Sequence, residues 1–123
     1  MAPEDLIKKA ILAQQRAEAP YSSYPVGTAL LTTDDLVILG CNIESKAYPT
    51  TLCAERVAIF SAISQGYKDF SAMALITQDG ASPCGSCRQI IYEYARNIPI
   101  YIAKDLDNYV TQTISDLLPF PFG

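Results

Sequence analysis

Residues 72–103 read AMALITQDGASPCGSCRQIIYEYARNIPIYIA, and this stretch decides the fold. Residues 72–77 are a short apolar run of strand type, 84–96 follow Pro83 as a helix, and 98–103 return as a second strand. Strand, helix, strand in that order implies parallel pairing, with the helix laid on one face of a sheet. Towards the N-terminus, residues 54–65 (AERVAIFSAISQ) read as a helix ended by Gly66. It is apolar almost all round, the pattern of a helix covered on several sides. Residues 26–32 and 36–43 are β-type runs separated by Thr33-Asp34-Asp35, so a hairpin is expected. Residues 4–17 repeat Leu6, Ile7, Ala10, Ile11, Ala13 and Ala17 at helical spacing, opened by Pro3, Glu4 and Asp5 and stopped before Pro20. On the far side, Lys104, Asp105, Asp107 and Asn108 read as a solvated loop, and 113–118 as a short last helix. The order α-β-β-α-β-α-β-α predicts an α/β fold: a three-layer α/β/α sandwich around a mixed sheet, part hairpin and part parallel.

Composition narrows the chemistry. The chain has 123 residues, with no repeat or linker-like stretch, and reads as a single domain over 1–123. A chain of this size hides roughly two-thirds of its unfolded surface, so a core without disulfides is expected. Nine basic and 13 acidic residues give a net charge of −4. That balance argues against a nucleic-acid partner and against an anionic membrane surface. Charged residues make up 18% against a typical value of about 25%, which hints at surface covered by a partner. The opening MAPEDLIKKA carries acids where a secretory leader carries bases, and no apolar run reaches the roughly 18 residues of a membrane span. The expectation is a cytoplasmic protein with reduced thiols.

There is no histidine and there are four cysteines, at 41, 53, 84 and 87. The missing histidine excludes Ser–His–Asp and Cys–His nucleophiles, and leaves metal sites to Cys, Asp, Glu or backbone groups. A lone C-x-x-C serves redox and zinc sites alike. Three cysteines at two helix starts say more: Cys53 precedes one helix, and Cys84 and Cys87 open the next. Unpaired N–H groups and the helix dipole favour thiolates there. Arg56, in the first turn, is placed to hydrogen-bond the sulfurs. Three protein ligands leave one tetrahedral position open, as in catalytic zinc sites; structural sites are closed by a fourth. Cys41, within a strand between Gly40 and Asn42, suits a buried free thiol better than that fourth ligand. Glu55 stands two positions after Cys53. A carboxylate at a helix start is favoured by the dipole alone. In an apolar metal site, however, its pKa rises into the range where it both accepts and delivers a proton.

The pattern C-x-E … P-C-x-x-C, present as Cys53-Ala54-Glu55 and Pro83-Cys84-Gly85-Ser86-Cys87, is an established signature of zinc-dependent nucleobase deaminases. With Tyr21-Ser22-Ser23-Tyr24-Pro25-Val26-Gly27, Cys41-Asn42-Ile43-Glu44, Leu117-Leu118-Pro119 and Phe122-Gly123, the chain closely resembles the small homotetrameric cytidine deaminases from about Leu6 to its end. The resemblance implies zinc on Cys53, Cys84 and Cys87, one ion per subunit, with Glu55 moving protons during hydrolysis of cytidine and 2′-deoxycytidine to the uridines and ammonia. It implies that Asn42 and Glu44 grip a ribose hydroxyl and that the Ala54 N–H binds the base carbonyl. Tyr24 stands beside the base where the family usually has Phe. Phe122 would enter a neighbouring subunit's site, with Tyr48 at a subunit junction. Without the other motifs, Asn42 and Glu44 would read as a polar strand end, and Tyr24 as core packing.

Three rivals stand beside this reading. One is a deaminase of another aminopyrimidine, such as a nucleoside antibiotic. Another is a polynucleotide editing enzyme, against which the −4 charge weighs. The last is a zinc-stabilised interaction domain with no activity.

Overall fold

A computed structural model describes residues 1–123. Helix α1 spans Pro3–Gln14, strand β1 Gly27–Thr32, β2 Val37–Cys41, helix α2 Ala54–Ser64, β3 Phe70–Ile76, α3 Gly85–Ile90, β4 Ile100–Ala103, β5 Tyr109–Gln112 and α4 Ile114–Leu117. A 3₁₀ turn at Tyr48–Thr50 precedes α2, and a π-helical segment, Ile91–Ala95, continues α3.

The sheet order is β2-β1-β3-β4-β5. β1 pairs antiparallel with β2 and β3, the β3–β4 pair is parallel, and β5 returns antiparallel to β4. The sheet is therefore mixed, as expected. Because successive side chains on a strand point to opposite faces, β1 and β3 supply two separate cores. Leu30, Met73, Ile100 and Ile102 meet Ala58, Ile59 and Ala62 of α2 and Ile91 of the π segment. Ala29, Leu31, Ala72 and Ala74 meet Leu6, Ile7 and Ala10 of α1 on the other face. Every residue of β1 is buried, which is what two helical layers require of a strand between them.

Three expectations need correction. The strand β5 replaces what read as loop running straight into a helix. Its sequence is only YVTQ, two of its four residues are exposed, and the polar turn before it hides the pattern. The helix expected over 84–96 is α-helical for six residues only and then widens, ending at Arg96 with φ +67°. Helix α2, read as covered on several sides, buries Ala54, Glu55, Ala58, Ile59 and Ala62 along one face. Phe60 stays 39% exposed, because no other element of this chain lies against that side.

Candidate active site

The loop after β3 leads to Cys84 just outside the carboxyl end of that strand, the usual place for a site in an open α/β sheet. Cys53 is the N-cap of α2 and Cys84 the N-cap of α3. Both precede the helical residues in extended conformation, so their side chains lie beside N–H groups that lack partners within the helix. The Cys84 sulfur accepts the Cys87 N–H at 3.4 Å. Cys87 lies one turn into α3 and is fully buried.

The three sulfurs lie within 4.8 Å of one another. Two sulfurs of a tetrahedral zinc site, each about 2.3 Å from the ion, stand about 3.8 Å apart. Cys53 and Cys84 are separated by 3.8 Å and Cys84 and Cys87 by 3.3 Å. All four cysteines are free, and Cys41 lies outside the cluster. The Arg56 guanidinium donates to the Cys53 sulfur at 3.5 Å. Hydrogen bonding from Cys87, with lesser help from Arg56 and Cys84, holds the Cys53 thiol well below its ordinary value and favours the thiolate. Cys87, the donor in that bond, is pushed upward. A soft donor set of three sulfurs with no fourth side chain fits zinc.

Glu55 is 4% exposed. Burial raises its carboxyl to about 7, and the Cys53 charge adds to the effect. Cys53, Ala54, Glu55 and Cys84 line a common cavity of about 360 Å³ with Tyr24, Asn42 and Glu44. Ala54 is the first residue of α2, so its N–H has no intrahelical partner.

The chain beyond β2 aims Asn42 and Glu44. Ile43 exchanges both backbone bonds with Leu52 at 3.0 Å. On the opposite edge, Glu18 N–H donates to Asn42 and Glu44 N–H to Glu18. An extended segment so clamped turns residues 42 and 44 to one side. Both side chains also organise the loop at 21–26. The Asn42 oxygen accepts Val26 N–H at 2.9 Å, and its amide donates to Tyr24 O at 2.9 Å. Glu44 accepts the N–H groups of Tyr21 and Ser22 at 3.0 Å, and also the Ser22 hydroxyl. These bonds hold its carboxyl below the usual range, the Ser22 side chain contributing most. An amide has two donors and two acceptor sites and a carboxylate about four acceptor sites. One donor and one acceptor on Asn42, and one acceptor on Glu44, stay available.

Two residues singled out in the sequence lie elsewhere. Tyr48 is 74% exposed and Phe122 87% exposed, and neither lines this chain's own cavity. Gln89 holds the terminal segment, donating to Phe122 O at 2.9 Å and accepting its N–H at 3.2 Å. The sequence reading missed Thr77, Ala81 and Ser82, which also line the cavity. The polar stretch between β3 and Pro83 was the available signal.

A buried carboxylate beside three sulfurs at paired helix starts defines a zinc hydrolase site. The comparisons specify it: residues 2–102 match the model of the cytidine and deoxycytidylate deaminase zinc-binding region, and the chain belongs to that family. A cytidine deaminase of Sporosarcina psychrophila is 42% identical over 126 residues, covering 100% of this chain and 93% of that protein. The crystal structure of cytidine deaminase from Burkholderia pseudomallei matches with a TM-score of 0.95 at 37% identity, covering 99% of this chain and 100% of that one. A blasticidin-S deaminase of Bacillus cereus is 32% identical over 111 residues, covering 82% of this chain and 79% of that protein. The cofactor is zinc.

Proposed function

We propose that this chain hydrolyses cytidine and 2′-deoxycytidine to uridine and 2′-deoxyuridine with release of ammonia, as a cytoplasmic enzyme of pyrimidine salvage. The observation that carries the reading is Glu55: a carboxyl buried at the three-sulfur cluster and raised to about 7, where it exchanges protons at neutral pH.

Cys53, Cys84 and Cys87 hold the zinc. When bound, the ion supplies Lewis acidity that brings the ionisation of water near neutrality. Glu55 takes a proton from the attacking water and places it on N3 of cytosine, making C4 electrophilic. After attack at C4, Glu55 takes the proton of the newly added hydroxyl and delivers it to the 4-amino group, so that the C4–N bond breaks and ammonia leaves as the C4 carbonyl forms. Water and nucleoside are thereby consumed and a uracil nucleoside and ammonia released. The Ala54 N–H binds the base carbonyl. The free valences of Asn42 and Glu44 receive a ribose hydroxyl, and the Tyr24 ring flanks the base. Arg56, donating to Cys53, offsets the negative charge of three thiolates.

The working unit we propose is a homotetramer. The half-covered outer side of α2 and the exposed Tyr48, Phe120 and Phe122 support this as apolar surface available for contacts between subunits. Phe122 then serves a neighbouring site, and Tyr48 a junction.

Glu55→Gln tests the assignment. Zinc per chain and thermal midpoint stay at the wild-type level, and cytidine loss followed by absorbance falls by about 10²–10⁴-fold. Retained turnover in that variant would refute the catalytic role. Turnover of blasticidin S or other cytosine compounds in preference to cytidine would move the substrate assignment.

A further inference from the structure

The loop at 21–26, which Asn42 and Glu44 hold on one side, is cross-linked on the other to the turn at 77–81. Tyr24, half-buried and lining the cavity, donates its hydroxyl to Asp79 Oδ1 at 2.5 Å across 55 residues of sequence. Asp79 does not itself line the cavity. The same oxygen accepts the Ala81 N–H at 3.3 Å and the Thr77 hydroxyl at 3.4 Å. Thr77 in turn accepts Ala81 N–H at 2.9 Å, so the turn at 77–81 is closed on itself and holds the carboxylate in place. A second stitch runs beside the first: the Gln78 amide donates to Ser23 O at 2.8 Å.

On the other side the backbone of Tyr24 is fixed independently. Its N–H reaches the Ser22 hydroxyl oxygen at 3.1 Å, and its carbonyl accepts from Asn42 at 2.9 Å. Ser23 takes φ +54° to present it, a left-handed value uncommon for a residue with a side chain. With the backbone pinned, the ring retains only its side-chain torsions, and the hydroxyl–carboxylate bond restrains them. A phenylalanine would fill the same space without that restraint.

We propose that Tyr24 and Asp79 form a strap beside the cavity, in which Asp79 is a positioning residue that acts through the Tyr24 ring to set how tightly the nucleoside base is held. This deepens the proposed function and rests on it. A strap that preorganises the wall lowers the cost of ordering it on binding, so its loss moves KM before kcat.

The test uses zinc-loaded Tyr24→Phe, Asp79→Ala, the double variant and Asp79→Asn, the last keeping an oxygen able to accept the tyrosine proton. In Tyr24→Phe and Asp79→Ala, KM for cytidine should rise roughly three- to tenfold, the effect of one net hydrogen bond, with kcat changing much less. The double variant should be no worse than Asp79→Ala alone, because that change has already broken the bond that Tyr24→Phe removes. Asp79→Asn should recover most of the loss. An unchanged KM in Tyr24→Phe, or single effects that multiply in the double variant, would overturn the proposal. Should the wild type not deaminate cytidine, the functional reading fails. The strap is then judged by amide hydrogen exchange: amides of 21–26 and 77–82 quickening together in Tyr24→Phe sustain it, and unchanged exchange defeats it.

Discussion

Gly40, in β2, sits beneath the start of α2. A Cβ at this position would stand 2.3 Å from Ala54 O, 2.6 Å from Ala58 N and 2.9 Å from Ala58 Cβ. All of these are closer than packed atoms tolerate, and two are rigid backbone atoms. The missing side chain therefore lets the helix seat directly on the strand, and Ala54 lies between Cys53 and Glu55. Gly40→Ala should push the helix start outward and destabilise the fold by about 1–3 kcal/mol, the usual range for overpacking, with a fall in kcat/KM because the sulfur cluster and carboxylate move with α2. Gly85, where a Cβ meets nothing within 4 Å, is the control: Gly85→Ala should not lower the urea midpoint. The candidate site residues could be picked out because their spacing is local: Cys53, Glu55 and Arg56 share one helical turn, as do Cys84 and Cys87. Gly40 was not legible, because its constraint comes from a helix packed on it from later in the chain. The loop-building bonds of Asn42 and Glu44 were hidden for the same reason, as their partners lie 16 to 23 residues away.

Among the elements, the four strands of the two cores followed their hydrophobic periods; the departures are the edge strand β5, the widening of the helix after Ile90, and the bare outer side of α2. β5 is short and half-exposed, so it carries little pattern. Its pairing is prepared instead by Asp105, whose carboxylate accepts the N–H groups of Asp107 and Asn108 at 2.9 Å and turns the chain back onto β4. The connection between α3 and α4 depends on a single side chain that the sequence did not distinguish. Arg88 donates to Pro83 O at 2.8 Å, to Ser82 Oγ at 3.0 Å and to Leu117 O at 2.7 Å. It thereby ties the turn carrying Cys84 to the last helix, using the fixed fork of the guanidinium. A lysine has one nitrogen in place of three and cannot span these acceptors together. Arg88→Lys should lower stability by roughly 1–3 kcal/mol, the loss expected for charge-assisted bonds. Zinc release to a chromogenic chelator should quicken, since Cys84 loses its outer support. Equal release rates in the two proteins would mean that α3 holds the turn unaided.

At the scale of the whole molecule the outward surface matters most. Phe120 and Phe122 are 93% and 87% exposed, and the terminal segment is nevertheless ordered, held by Gln89 and by the Tyr92 hydroxyl, which donates to Gly123 O at 2.7 Å. An exposed aromatic on an anchored segment is presented outward, and the proposed tetramer gives it a destination in the cavity of a neighbour. That geometry has a consequence that mutation of one chain cannot show. If each site takes Glu55 from its own chain and Phe122 from another, the two functions can be separated onto different subunits. Glu55→Gln chains lack the proton carrier but offer Phe122; Phe122→Ala chains carry Glu55 but offer no ring. Each variant alone should be impaired, Glu55→Gln severely and Phe122→Ala chiefly in KM. When the two are dissociated together and reassembled, some sites receive an intact Glu55 and a neighbour's intact Phe122. A component of cytidine turnover with wild-type KM should therefore appear in the mixture and in neither parent. If Phe122 acts only within its own chain, no site in the mixture holds both groups, the activity is the weighted mean of the parents, and the shared-site arrangement falls.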